Sequence, residues 1–192
     1  KRLGATVSAI DTRESARAAA KSLGAKVNGF EVPAEMAEAD DGYALPLPQE
    51  WLQKERDLIS SVAGQANAII CSALVPGEVA PRLITLETVS KMQPGSVIID
   101  VAIDQGGNCA LTSPGEWLTI NEVSICGTKN IPGSVPKDAS WLYAHNVSHF
   151  VEHISKKGAL RFDLEDEIVQ SCIVTHAGKI LHKGTIKAIE SV

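Results

Sequence analysis

Three short apolar runs constrain this chain more than anything else in it: residues 67–71 (Asn-Ala-Ile-Ile-Cys), 96–101 (Ser-Val-Ile-Ile-Asp-Val) and 122–126 (Glu-Val-Ser-Ile-Cys). Each has the length of a strand, and continuous apolar runs such as 67–71 suit strands that a parallel sheet buries on both faces. Parallel neighbours need crossover connections, and helices usually supply them. The intervening sequence offers two. Residues 49–62 place Trp51, Leu52, Leu58, Ile59 and Val62 at helical spacing, and 85–92 opens with Thr85, a good N-cap, followed by Glu87.

The same alternation holds upstream. Residues 6–10 (Thr-Val-Ser-Ala-Ile) form an expected strand with Asp11 at its carboxyl end, 14–23 an Ala-rich helix closed by Gly24, and 25–30 a returning strand. The first five residues, Lys-Arg-Leu-Gly-Ala, have the pattern of a helix's last turn, with cations where the macrodipole favours them and Gly4 at the left-handed C′ position. A helix and a preceding strand are therefore expected upstream of Lys1. The expected fold is α/β: a Rossmann-like doubly wound parallel sheet lacking its first strand. Residues 31–48, acidic and broken by Pro33, Pro46 and Pro48, predict a long irregular loop of the kind used as a lid or left disordered. Residues 137–156 predict a long helix followed by Gly158. The tail changes character, with strand-like stretches at 168–175 and 179–182 joined by Ala177-Gly178 as in a β-hairpin. The domain reading is a Rossmann-like domain at 1–158, N-terminally incomplete, and a C-terminal hairpin segment at 159–192.

Composition narrows the function classes. A chain of 192 residues that is 44% hydrophobic can build one sizeable core or two small ones and is too apolar to be disordered. Its formal net charge of -5 provides no basic field for nucleic acid, and no Lys/Arg cluster interleaves with aromatics. No apolar run approaches the roughly 20 residues that span a bilayer, and Lys1-Arg2-Leu3-Gly4 does not begin a signal peptide, so the polypeptide is expected to be soluble by itself. Cys71, Cys109, Cys126 and Cys172 stand singly, without a C-x-x-C pair, as expected of reduced thiols in a cytosol-like compartment.

Asp11 carries the most chemical information. An acidic residue ending the second strand of a βαβ unit accepts hydrogen bonds from the ribose hydroxyls of NAD and repels the 2′-phosphate of NADP. The same residue type caps helices, and local sequence leaves that alternative open. Arg13 is placed to stack on adenine or to pair with Asp11. At Ser72-Ala73-Leu74-Val75-Pro76-Gly77 the chain leaves a strand through small residues, which lets a ligand approach the backbone where open parallel sheets bind ligands; an ordinary strand exit fits equally well. Asp100 and Asp104 flank the end of the next strand, and Gly106-Gly107-Asn108 follow, a pair that permits positive φ or forms a plain turn. His145, His149 and His153 share one helical face, but no H-E-x-x-H carboxylate accompanies them, so a solvated or interface stripe is expected and no metal site is assigned. Trp51, Trp117 and Trp141 are expected as core or interface anchors. No Ser/His/Asp or Cys/His nucleophile arrangement emerges from spacing.

As a set, the segments resemble the alanine dehydrogenase/transhydrogenase family, in particular the NAD(H)-binding domain of proton-translocating nicotinamide nucleotide transhydrogenase. The resemblance rests on K-R-L-G-A and A-I-D-T-R within 1–13, D-G-Y-A at 41–44, S-A-L-V-P-G-E-V-A-P at 72–81, M-Q-P-G-S-V-I-I-D-V-A at 92–102, Q-G-G-N-C at 105–109 and N-I-P-G-S-V-P at 130–136. It implies NAD(H) contacts at Asp11, Thr12 and Arg13, at Gly42 and Tyr43 from a mobile lid, and at Ser72, Ala73 and Leu74. It also implies hydride transfer between this NAD(H) and NADP(H) on a partner domain, coupled to proton translocation by a separate membrane domain. No catalytic side chain is needed for that step. A homodimer is implied, on the cytoplasmic face of a bacterial inner membrane or on the mitochondrial matrix side. The Gly42-Tyr43 pair and the tail at 166–180 look like the transhydrogenase branch, whereas V-A-I-D-Q-G-G at 101–107 resembles alanine dehydrogenase, in which the acid matching Asp104 is functional. Alanine dehydrogenase, and a non-catalytic nucleotide-binding or assembly module, are the alternatives.

Overall fold

The computed structural model describes residues 1–29, 31–39 and 42–190; Phe30, expected to end the second strand, and Asp40 and Asp41 of the expected lid lie outside the described residues. The chain forms two compact units, Lys1–Ile131 and Pro132–Val192. In the first, β1 (Ser8–Ala9) leads through α1 (Glu14–Ser22) to β2 (Lys26–Val27), which pairs with β1 in parallel. The loop at 31–48 contains a single helical turn, α2 (Ala34–Ala37), and a bridge between Glu38 and Ala44. After α3 (Gln49–Ala63) come β3 (Ala68–Cys71), α4 (Leu86–Ser90), β4 (Val97–Asp100), β5 (Trp117–Ile120) and β6 (Val123–Cys126). These strands form a four-stranded sheet of order β3-β4-β6-β5, in which β3, β4 and β6 run parallel and β5 is antiparallel. The fold is α/β with a parallel-containing sheet, as the alternation of apolar runs and helical stretches predicts.

Register explains where the core sits. Ile69, Ile98 and Ile125 align across β3, β4 and β6, and Cys71 pairs with Asp100. That face meets α3 through Ile59 and Ala63 and α4 through Val89, all within one cluster that Ile10, just past β1, also joins. Spacing by four puts Glu55, Ile59 and Ala63 on the same buried side of α3. Helix α4 starts where expected because the Thr85 hydroxyl accepts the Thr88 N–H at 3.3 Å.

Several expectations need correction. β3 is not buried on both faces: Ile70 is 71% exposed, because the helices α3 and α4 pack on the face opposite Ile70. The antiparallel strand β5 lies outside the three apolar runs; its exposed-intermediate alternation marks a half-covered edge. Of the core or interface anchoring expected for the tryptophans, the core half does not hold for Trp117, 61% exposed in that strand, or for Trp141, also exposed. Lys1–Gly4 forms a hydrogen-bonded turn in which Gly4 donates to the Lys1 carbonyl and adopts φ 87°, the left-handed conformation that its position predicts.

A single turn, α5 (Ile131–Ser134), starts at the junction, and the second unit comprises α6 (Pro136–Ile154), β7 (Ser155–Lys156), β8 (Ala159–Leu160), α7 (Glu167–Cys172), β9 (Thr175–His176), β10 (Lys179–Ile180) and α8 (Lys183–Glu190). The hairpin at Ala177-Gly178 is present, both turn residues having positive φ as a two-residue hairpin requires. A second one, β7-β8, turns at Lys157-Gly158, where the sequence suggests a helix end. Residues 168–172 are helical rather than extended. The Asp166 carboxylate accepts the N–H groups of Ile168 and Val169, each at 3.0 Å, and this cap nucleates α7 in place of a strand.

Candidate functional site

The chemistry-bearing residues of the first unit gather where strands end. Asp11 follows β1, Ser72 follows β3, and a 3-10 turn, Val101–Gln105, follows β4. Ligands of open α/β sheets lie beyond such carboxyl ends.

Asp11 and Arg13 form a tight local pair. Asp11 Oδ1 accepts the Arg13 backbone N–H at 2.9 Å and Nε at 3.2 Å, while Oδ2 accepts Nη2 at 3.1 Å. The carboxylate does not cap α1: the N-cap position is Arg13, which makes no side-chain cap hydrogen bond. A carboxylate offers about four lone-pair sites, so the fork of Arg13 leaves acceptor capacity on Asp11. Both side chains keep about a third of their surface in solvent, 33% for Asp11 and 31% for Arg13. The charge of Asp11 holds the Arg13 guanidinium above its ordinary pKa, chiefly through the hydrogen bond between them. Arg17, one turn into α1, donates Nη1 to the carbonyls of Asp11 and Thr12 and so fixes the path of this segment.

The 31–48 loop is fastened to the same place. Arg13 Nη1 donates to the Gly42 carbonyl at 3.2 Å, and the Ser15 hydroxyl donates to the Glu38 carboxylate at 3.1 Å. Gly42 sits at φ 80°, a conformation a β-carbon would strain. A cleft of about 420 Å³ lies alongside, lined by Thr12, Ser15, Val32, Ala37 and Glu38 among others. Tyr43, in the same loop, is exposed.

The turn after β4 is built differently. Asp100 is fully buried at the end of β4, and its two oxygens accept the N–H groups of Asn108 at 3.1 Å and Cys109 at 2.9 Å. A β-carbon on Gly107, at φ 84°, would stand 2.7 Å from Asp100 Oδ2, so the turn closes only around glycine. Asn108, also fully buried, reaches back to the segment after β3, which carries Ser72, Ala73 and Leu74. Leu74 is 41% exposed. Asp104 accepts the Asn130 N–H at 3.2 Å.

Glu55 is the group whose role sequence reasoning missed. It is only 6% exposed, and burial, followed by the charge of Asp11, pushes its carboxyl up to about 7. The signal was available: position 55 falls on the apolar stripe of α3. Arg17 and Asn108 were missed as organisers because their partners are backbone atoms, which sequence does not mark. Cys71, Cys109 and Cys126 are buried, and the Cys71 thiol is pushed up to about 12, mainly by burial. Among the described residues no group of three His, Cys, Asp or Glu side chains is placed to hold a metal ion; His153 lies against Asp166 at 3.0 Å and His145 against Trp141. No helix among the described residues is long and apolar enough to cross a membrane.

Strand ends that carry an acid and a small-residue exit loop, in a sheet with parallel strands, are the features of nucleotide-binding α/β proteins. Comparison with known proteins makes this specific. Residues 1–183 match the family described as alanine dehydrogenase/PNT, C-terminal domain, and the chain belongs to that family. It is 41% identical over 185 residues to a component of the NAD(P) transhydrogenase alpha subunit of Rhodospirillum rubrum, a match covering 95% of this chain and 48% of that protein. It is 29% identical over 181 residues to an alanine dehydrogenase of Halomonas elongata, covering 91% of this chain and 48% of that protein. Among solved structures, the transhydrogenase from Sinorhizobium meliloti superimposes with a TM-score of 0.65 at 36% identity, over 93% of this chain and 46% of the other. An L-alanine dehydrogenase shares the fold, with a TM-score of 0.63 at 23% identity, over 99% of this chain and 48% of the other. The chain thus spans about half the length of these relatives.

Proposed function

We propose that this chain is the NAD(H)-binding module of a transhydrogenase alpha subunit. One observation carries the reading: Asp11 stands at the carboxyl end of β1, held in place by Arg13 yet partly open to solvent, where a nucleoside ribose meets a carboxylate in this fold class. The residues fit the coenzyme. Asp11 and Thr12 would take the adenosine ribose, Arg13 would flank it, Gly42 and Tyr43 would cover it from the 31–48 loop, and Ser72, Ala73 and Leu74 would line the other side. Bound NAD(H) supplies hydride chemistry at its nicotinamide ring, and the side chains here bind, orient and exclude water. The remainder of the reading comes from the family: NADP(H) on a partner domain, hydride transfer coupled to proton movement by a membrane domain, and a homodimer at the cytoplasmic or matrix face of that membrane.

The fold reading that accompanies it is a Rossmann-like sheet lacking its first strand. β1 and β2 form one small parallel sheet, while β3 is the edge of another, and a further parallel strand between β1 and β3 would merge the two. The helix expected after that strand would pack on the sheet face that carries Ile70. Residues 159–192, with the hairpin β9-β10, would return to a companion domain.

Asp11→Ala tests the central assignment. It removes a charged acceptor from the ribose and the repulsion of a 2′-phosphate, so NADH affinity should fall roughly tenfold to a hundredfold while NADPH binds relatively better. Unchanged NADH affinity in a fluorescence titration of the intact protein would refute the assignment. A second reading, alanine dehydrogenase, draws on Asp104, held by the Asn130 N–H after β4. It requires pyruvate- and ammonia-dependent oxidation of NADH by the intact protein, and the transhydrogenase reading expects none.

A further inference from the structure

The loop between β3 and α4 is a long connection, and one side chain, that of Asn108, binds it near both ends. Asn108 Nδ2 donates to the Ala73 carbonyl at 2.9 Å and to the Pro81 carbonyl at 2.9 Å, and Asn108 Oδ1 accepts the Ala73 N–H at 3.0 Å. Both amide protons and the amide oxygen are therefore spent on the two ends of one loop. The Asn108 backbone contributes further: its carbonyl accepts the N–H groups of Leu83 and Ile84, at 2.8 and 3.0 Å, while its own N–H goes to the buried carboxylate of Asp100. Ala80 donates to Gln105 and Arg82 Nη1 donates to the Cys109 carbonyl, so the loop is sewn to the turn after β4 at several points along its length.

We infer that Asn108 is a positioning residue for nucleotide binding: its buried amide fixes the exit from β3, so that Ser72, Ala73 and Leu74 stand against the coenzyme. The inference rests on the nucleotide-site reading proposed above. The physical reason is the cost of the alternative. An unsatisfied amide or carbonyl in a buried place is expensive, so the loop has one path that pairs all three backbone groups with Asn108. Asn108 itself is fully buried and its side chain is bonded to the loop, so it acts through Ala73 and Leu74.

The experiment is a double-mutant cycle in NADH binding by the intact protein, read by NADH fluorescence. Leu74→Ala and Asn108→Ala should each weaken NADH, Asn108→Ala by roughly tenfold or more. In the Asn108→Ala background the Leu74→Ala effect should shrink or vanish, since a loop released from its staple no longer presents Leu74. A control, Ser96→Ala, removes a buried hydroxyl at the opposite end of β4 and should lower stability without altering NADH affinity. If Leu74→Ala leaves affinity unchanged, the nucleotide reading of this loop falls and takes the inference with it. If Leu74→Ala weakens binding while Asn108→Ala does not, or the two effects simply add, the nucleotide reading stands and the positioning role is overturned. Hydrogen exchange on the unmodified protein decides the case should Asn108→Ala fail to fold. The Ala73 amide should be protected like the amides of β4, and exchange as fast as an exposed loop would overturn the proposal.

Discussion

The two strand ends that carry the candidate site residues are made of the same kinds of atoms and behave differently. On the β4 side, Asp100 and Asn108 are fully buried, and their side chains are paired with backbone groups of the turn after β4 and of the loop between β3 and α4. On the β1 side, Asp11 and Arg13 are one-third exposed, and the pair fastens the 31–48 loop through one carbonyl, that of Gly42. Buried, fully paired networks hold a single geometry, whereas a partly solvated ion pair can open at small cost. The contrast separates a fixed template from a loosely fastened loop, a division that fits the nucleotide site proposed above.

Substitutions can break or sharpen that contrast. The largest effect is expected for Asp100→Ala, which strands the N–H groups of Asn108 and Cys109 and should cost about 3–5 kcal/mol of unfolding free energy. Denaturant unfolding measures it, and a loss under about 1 kcal/mol would remove the template description. Next comes the pH response set by Glu55. Its folded-state pKa, raised from 4.5 to about 7, means that the folded form holds its proton more tightly than the unfolded chain does. The contribution is complete below 4.5 and disappears as pH rises through about 7, so stability should decline across that window by up to about 3 kcal/mol. Glu55→Gln should flatten this part of the stability profile, and a profile of the same slope in both proteins would contradict the assignment. The smallest effect belongs to Arg13→Ala. An exposed ion pair contributes no more than about 1 kcal/mol, so stability should barely move. Limited proteolysis within 31–48 should nevertheless accelerate, because the hold on Gly42 is gone; an unchanged cleavage rate would mean that Arg13 does not fasten the loop.

Much of the scaffold was legible because periodicity reports burial. The strands β3, β4 and β6 and the helices α1, α3 and α6 lie close to where the apolar runs and caps place them. Legibility failed where a local polar contact decided between helix and strand. Ile168 and Val169 read as strand residues, yet the carboxylate of Asp166 captures both of their N–H groups and starts α7. It failed again at Ile70, since a run of apolar residues does not say how many of its faces are covered. At the site, Asp11 was visible from its position after a strand, and Arg13 from its proximity. The role of Asn108 was not visible, because its partners, Ala73 and Pro81, are backbone atoms 35 and 27 residues away. Side-chain chemistry advertises itself in sequence, whereas a side chain that serves the main chain of a distant loop does not.

The open border of β3 has a practical consequence. Among the described residues this strand is paired along one side only, and with a bare Ile70 it is a template for any other extended segment that meets it. Such an edge is expected to make self-association of the isolated polypeptide depend on concentration, which sedimentation velocity measures.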